Sequence, residues 1–477
     1  MKVVAGVDLG GTAINYTIVN AQEQFLIQGL CEHPALSTQG PDVCLSQIED
    51  GLKIAVQKAG VRLQDVAAVG LDTPGPASST GVLSARGSTN FVHADWAGYD
   101  IRANLEARLG LPVTYLNDGN AGALWGHFTL FGADSRATSI SAVIGTGLGG
   151  GVIVDGNVVK GKMGFGGELG HVLIPYQSIA FAEGIRPECN CGRTGDLESL
   201  CSLTAIAKTL LPYFLFRYPG HQLAKLDLGK AAKLVRGLAE MGDPLCRDVF
   251  RVQAHALGLF FDEMVNTFDP DVLIIGGGAL ETGPEFQRWF IAETRAGMPG
   301  QRAEQAAIPI HVMPNGDTAG ARGAAIEALK FIRHAGLEYV RASELARFAI
   351  PGALRFEDGG NGLTRALIAT PQTESEIYLH GAPVTRWIPR AQRPILFTSS
   401  HSFFAPGKPI RGGVPLVFPW FVPRPSGRHG DHPESSDGCN SWSRMATARF
   451  QEAMGPADPT LSDDAGLKIG ITTNACR

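Results

Sequence analysis

The stretch VVAGVDLGGTAINYTIV, residues 3–19, decides the fold. β-Branched and apolar residues run up to Asp8, Gly10-Gly11 form a turn, and residues 13–19 resume with alternating character. This is the pattern of a β-hairpin with glycines at its tip. It recurs in SISAVIGTGLGGGVIV, residues 139–154. There a strand over 139–144 meets the turn Gly145-Thr146-Gly147-Leu148-Gly149-Gly150, a second strand covers 151–154, and an Asp155-Gly156 turn comes next. Two halves that open alike read as an internal duplication: two α/β domains facing one another across a cleft, where ligands normally bind. Outward from the hairpins, amphipathic patterns predict helices over 41–60, 100–109, 200–217, 231–238, 244–268 and 318–333. Residues 271–275 form a short apolar strand that runs into Gly276-Gly277-Gly278.

Composition limits the function. The 477 residues are 44% hydrophobic and 18% charged, with a net charge of −5 and a pI near 6.2. That balance fits a soluble globular chain of two or three domains and leaves no basic stripe for nucleic acid or an anionic membrane, so a small-molecule partner is expected. Asp8 lies too close to Met1 for a secretion signal between them, and the apolar runs fall short of the ~20 residues of a membrane helix. A cytoplasmic location is the expectation. Of eight cysteines only Cys189 and Cys191 are closely spaced, which reads as reduced thiols plus a metal knuckle rather than a disulfide framework. Near residue 345 the texture shifts to Gly, Pro and aromatic residues, and from Ser426 large apolar side chains are scarce, so a disordered tail is expected.

Several constellations point to chemistry. In Asp8-Leu9-Gly10-Gly11-Thr12, glycines allow backbone N–H groups to approach an anion and tolerate positive φ. Asp8 is placed for magnesium and Thr12 for a phosphate oxygen. The second turn, with Gly145, Thr146 and Gly147, would clamp the same polyphosphate from the facing domain, and Gly276, Gly277 and Gly278 would lie beside the adenosine; helix–strand packing is the alternative for this third run. Asn117-Asp118 follows a short strand and precedes a helix beginning near Asn120, so Asp118 reads either as a helix N-cap or as a carboxylate at the cleft rim. Gly167-Glu168-Leu169-Gly170-His171 brings a carboxylate and an imidazole into one loop, an arrangement suited to sugar hydroxyls. Cys189, Cys191 and Asp196, with His171 upstream, have the donor types of a tetrahedral zinc site, a metal-free loop being the alternative.

Together these motifs, with Thr73-Pro74-Gly75-Pro76, Asn90, Glu198 and Ala319-Gly320, resemble the ROK family of sugar kinases and related repressors over residues 1 to about 335. The resemblance implies a two-lobed actin-like (ribonuclease H-like) α/β fold, with lobes at 1–120 and 121–335, and a homodimer. It implies Asp118 as catalytic base, Asn90, Asn117, Glu168, His171 and Glu198 as sugar ligands, and His171 with the cysteines as zinc ligands. The expected activity is ATP- and magnesium-dependent phosphorylation of a hexose, glucose first, with N-acetylglucosamine, N-acetylmannosamine, fructose or allose as alternative acceptors. A sugar-sensing regulator is the alternative of another class, though with Asp8 so near Met1 no DNA-reading module is expected before it. The sequence departs from the family at Asp196, where a third cysteine is usual, in a longer stretch between His171 and Cys189, and at Ala13, where Lys is common. After a linker at 336–355, residues 356–425 resemble the opening strands of a hexose-6-phosphate mutarotase, a β-sandwich, through Glu376-Ile377-Tyr378-Leu379-His380-Gly381-Ala382, Trp387 and the run 406–415 with Arg411. Only that opening is present, and no epimerase activity is expected of it.

Overall fold

The computed structural model describes residues 2–84, 91–179, 182–300, 302–334, 345, 348–359, 363–379, 383–393, 396 and 414–415. Two five-stranded mixed sheets carry the first 330 residues. The first contains β1 (Val3–Leu9), β2 (Ala13–Asn20), β3 (Glu32–Pro34), β4 (Val66–Thr73) and β5 (Val113–Asn117), in the order β3-β2-β1-β4-β5. The second contains β6 (Ser139–Ile144), β7 (Leu148–Val154), β8 (Asn157–Val158), β9 (Val272–Gly276) and β10 (Ile310–Val312), in the order β10-β9-β6-β7-β8. Read from the antiparallel edge the two orders are the same. In each, the first three strands form an antiparallel meander and the last two lie parallel to the first. The duplication expected from the hairpins is therefore a duplication of topology.

Helices cover the sheets for local reasons. In α1 (Pro41–Lys58), Pro41 occupies the first turn, where its missing N–H is not needed, and Cys44, Leu45, Ile48, Leu52 and Ala55 repeat at helical spacing on the buried face. They pack on Ile14, Ile18 and Leu71 of the first sheet. The Asp100 carboxylate caps α2 (Ile101–Leu109) by accepting from the Ala103 N–H at 2.8 Å. On the second sheet the helix Pro244–Phe268 starts behind an Asp243 cap and buries Phe250, Phe260 and Phe261, with Phe286 and Phe290 against Phe250. The predicted helix over 200–217 starts at Leu203 and contains a π turn, Ile206–Leu210. Pro212 cannot donate to the carbonyl four residues back, which widens the turn before it.

Two helices exchange sheets. After β5, α3 (Asp118–Phe131) packs on β7 and β6 of the second sheet, where a Cβ on Gly119 would sit 2.8 Å from the Gly150 carbonyl oxygen. After β10, the helix Ala319–His334 returns to the first sheet. A Cβ on Gly6 would lie 1.9 Å from the Ala321 carbonyl, one on Gly70 1.8 Å from that of Ala324, and one on Gly323 1.8 Å from that of Ala121. These contacts are backbone to backbone and allow no side chain.

A separate compact unit begins at Phe331. Its described residues form one antiparallel sheet of β11 (Leu354–Asp358), β12 (Thr364–Ala369), β13 (Thr373–Tyr378), β14 (Pro383–Pro389) and β15 (Val414–Pro415). Leu354, Ala366, Ile368 and Ile377 make its small core. Arg411, most of the run 406–415 and the tail from Ser426 lie outside the described residues. Among the described residues no helix is long and apolar enough to cross a membrane.

The close contacts give a contrast to measure. Gly70→Ala should destabilise the chain by at least about 2 kcal/mol, because the obstacle is backbone and cannot rotate away. Gly237→Ala, on the exposed face of the helix Leu228–Glu240 with nothing within 4 Å of its Cβ, should stabilise it by about 0.5–1 kcal/mol through helix propensity. Thermal melts of both variants against the parent check the sign of each.

Candidate active site

Parallel pairing of β1, β4 and β5 brings three strand ends together. Asp8 is the register partner of Asp72, and Thr73 that of Asn117. The chain then turns directly into α3, whose first residue is Asp118. The cap is Asn117, one residue earlier than the capping alternative considered for Asp118, and the helix begins two residues before Asn120. The Asn117 Oδ1 accepts from the Asn120 N–H at 2.8 Å, while its Nδ2 donates to Glu168 Oε1 at 3.3 Å. One side chain thus starts the helix and reaches the loop of the facing lobe. Asp118, freed from capping, accepts the Gly119 N–H on Oδ1 at 2.7 Å and remains open to solvent.

Asp118 is reached by water yet enclosed by protein on most sides of the cleft. That enclosure pushes its carboxyl up to about 6; the Gly119 N–H opposes the shift, and the Asp8 and Glu168 carboxylates add to it. Asp72 is fully buried, neither of its oxygens has a donor apart from a proton shared with Asp8, and its carboxyl is driven well above the ordinary range by burial, then by Asp8 and Asp118. Burial raises Asp8 as well, opposed by hydrogen bonding to Asp72 and Asn15. The sequence reading missed Asp72, although an acidic residue ending the apolar strand Val66–Thr73 was a signal.

The glycine turns are built differently from expectation. None of Gly10, Gly11, Gly145 or Gly147 takes a positive φ. Each turn is closed by an ordinary hydrogen bond, Gly10 N–H to Ala13 O and Gly145 N–H to Gly147 O, both 2.9 Å. What glycine supplies is room. A Cβ on Gly147 would lie 2.5 Å from the Glu198 carboxylate, which accepts the Leu148 N–H at 2.9 Å. Thr12 and Thr146 are exposed at the two tips. In the third run Gly277 does need its positive φ of 90°, and it sits against the Ile144 carbonyl at the entry to the second turn. The Gly276–Gly278 run and the second turn are therefore neighbours.

The loop carrying Glu168 and His171 is pinned from α3, where Asn120 Nδ2 donates to the Gly166 carbonyl at 3.0 Å. Below it His171, Cys189, Cys191 and Asp196 converge, with one donor atom from each within 4.8 Å of all the others. His171 Nδ1 is 3.1 Å from Asp196 Oδ2 and 3.8 Å from Cys189 Sγ, and Cys191 Sγ is 3.4 Å from Asp196 Oδ2. These separations suit a tetrahedral site with thiolate, imidazole and carboxylate ligands. Burial raises Asp196, but hydrogen bonds from His171, Cys189, Ser199 and Cys191 outweigh it and hold the carboxyl below its usual range. The longer stretch before Cys189 does not prevent the cluster from closing. Glu198 joins this cluster to the second turn, since Cys189 Sγ donates to its Oε1 at 3.4 Å. Asn90 lies outside the described residues.

The ROK family profile matches residues 4–330. A glucokinase of Halalkalibacterium halodurans is 30% identical over 283 residues, 58% of this chain and 81% of that protein. Among solved structures, the ROK hexokinase from Thermus thermophilus superposes with a TM-score of 0.55 at 28% identity, and a ROK family glucokinase from Streptomyces griseus in complex with glucose and AMPPNP with 0.52 at 26%. Each covers 69% of this chain and 99% of its own. The duplicated sheets, the exchanged helices and the position of Asp118 thus sit inside a profile that spans well over half of the sequence, and the chain belongs to the ROK family.

Proposed function

We propose that this chain phosphorylates the 6-hydroxyl of a hexose with ATP, glucose being the preferred acceptor. The observation that carries the reading is Asp118: a carboxylate open to the cleft, sensing both Asp8 of the first glycine turn and Glu168 of the sugar loop. Because Gly119 N–H occupies Oδ1, Oδ2 is the oxygen for the hydroxyl proton. A bond forms between the sugar O6 and the γ-phosphorus as the bond to the ADP oxygen breaks, and the proton passes to Asp118. In a loose transition state charge spreads over the phosphoryl oxygens, so N–H groups of the two glycine turns contribute more than the basicity of Asp118. Magnesium, when bound with the nucleotide, neutralises phosphate charge; Asp8, which no Lys or Arg pairs among the described residues, is the carboxylate placed for it. Asn117, Glu168, His171 and Glu198 line the sugar side, and zinc fits the donor set of His171, Cys189, Cys191 and Asp196. Glucose is favoured by the names of similar proteins and by the mutarotase-like strands near the C-terminus, since a mutarotase acts on hexose 6-phosphate.

Asp118→Asn and Asp118→Ala should each lower kcat by at least about 100-fold, the scale of a lost general base, while glucose still binds within a few-fold of the parent. A coupled assay with a panel of hexoses and titration calorimetry measure the two quantities; near-parent turnover would reject the assignment. A base must be ionised, and its pKa is raised to about 6. In the parent kcat/KM should therefore be full above pH 7 and fall tenfold per unit below 6, a limb absent from the residual activity of Asp118→Asn.

Cys189→Ala should release bound zinc, read by atomic absorption, and raise the hexose KM by about tenfold or more, because Glu198 loses a neighbour that fixes it. Unchanged metal content or KM would count against the shared scaffold. A chain ending at residue 338 should keep the kcat of the whole protein in the same coupled assay; a large loss would give the C-terminal sheet a part in catalysis.

A further inference from the structure

Asp8, Asp72 and Asp118 put three carboxylates at the ends of neighbouring elements, and among the described residues none of them forms an ion pair with a Lys or Arg. The protein supplies little else. Asn15 Nδ2 reaches Asp8 Oδ2 only at 3.4 Å, and the Thr73 hydroxyl next to Asp72 is engaged with the Tyr115 hydroxyl at 2.7 Å. The start of the helix Ala319–His334 approaches Asp8 closely, since a Cβ on Gly320 would lie 2.8 Å from Asp8 Oδ2. A helix N-terminus offers about half a positive charge, too little for the cluster. Asp72 cannot turn to water: its side chain has no exposed surface, and apart from a proton shared with Asp8 neither oxygen has a donor.

We propose that Asp72 completes, with Asp8, a divalent-cation site that fills before nucleotide arrives, with Asp118 adding its field from the rim. A magnesium-sized ion takes one or two carboxylates and keeps its other positions for water and phosphate oxygens. Asp72 and the partly exposed Asp8 supply that donor count, and Asp8 lies two residues before the glycines of the first turn. A shared proton would also relieve the pair, but it would leave the cleft anionic where a polyphosphate must enter. A resident cation reverses that sign. The proposal deepens the kinase reading and is tested separately from it.

The full chain, loaded with zinc and free of nucleotide, would be titrated with Mn2+ at pH 7.5, with free Mn2+ monitored by electron paramagnetic resonance. One equivalent should bind, magnesium should displace it, and Asp72→Asn, isosteric and checked by thermal melt, should weaken it at least tenfold. Asp8→Asn is the second variant and should do the same. Absence of binding in the parent without nucleotide, or parent-like binding in both variants, overturns the proposal. Glucose phosphorylation is measured on the same parent sample: Mn2+ binding without turnover on any hexose would sink the kinase reading and leave the cation site standing. Turnover without nucleotide-free binding would do the reverse.

Discussion

The contact on which the rest depends is that of the helix Ala319–His334 with the first sheet and with α3, made where Gly6, Gly70 and Gly323 carry no side chain. Helices normally stand 8–10 Å from their neighbours because side chains hold them there. Here carbonyl oxygens fall where a Cβ would be. The last helix of one lobe is thereby seated on the sheet of the other, while α3 does the converse through Gly119. Each lobe is completed by an element of its counterpart. Both exchanged helices begin near the end of β1, so Asp118 at the start of α3 and Gly320 at the start of the returning helix both come close to Asp8.

That arrangement explains the electrostatics. Parallel strands end together, and the residues at and just beyond their ends share one small volume. Asp8, Asp72 and Asp118 meet there for topological reasons, and among the described residues none of them pairs with a Lys or Arg. The raised carboxyl of Asp118 is a product of its enclosure and its neighbours together. A carboxyl with a pKa near 6 is ionised at neutral pH yet holds a proton more readily than an ordinary aspartate.

Much of the fold was legible because its signals are local. Residues 3–19 and 139–154 announce hairpins by alternation and glycine alone, and their likeness announces the duplication. Asn117-Asp118, Glu168, His171 and the Cys189–Cys191 pair could be picked out by residue type. What the sequence concealed was mostly relational. Asp72 looks like the polar end of a strand until its register with Asp8 is known. The glycines of both turns look like positive-φ positions, whereas Gly147 is set by Glu198, far along the chain. Which residue caps α3 was a matter of a single position, and only the Asn117–Asn120 hydrogen bond decides it.

Glu198 shows how far such relations reach. Its carboxylate accepts the Leu148 N–H on one oxygen and the Cys189 thiol on the other, so it is held by the second glycine turn and the cysteine cluster at once. Leu203 N–H, a little further along the same segment, donates to the Gly145 carbonyl at 2.9 Å, and the Thr204 hydroxyl to that of Thr146 at 2.7 Å. The backbone of the turn is therefore held at three successive points, Gly145, Thr146 and Leu148, by one short segment. A metal held by His171, Cys189, Cys191 and Asp196 would fix that segment, and through it the turn. On this geometry the cysteine cluster and the glycine turn are braced by the same short segment, so that order in one would carry to the other.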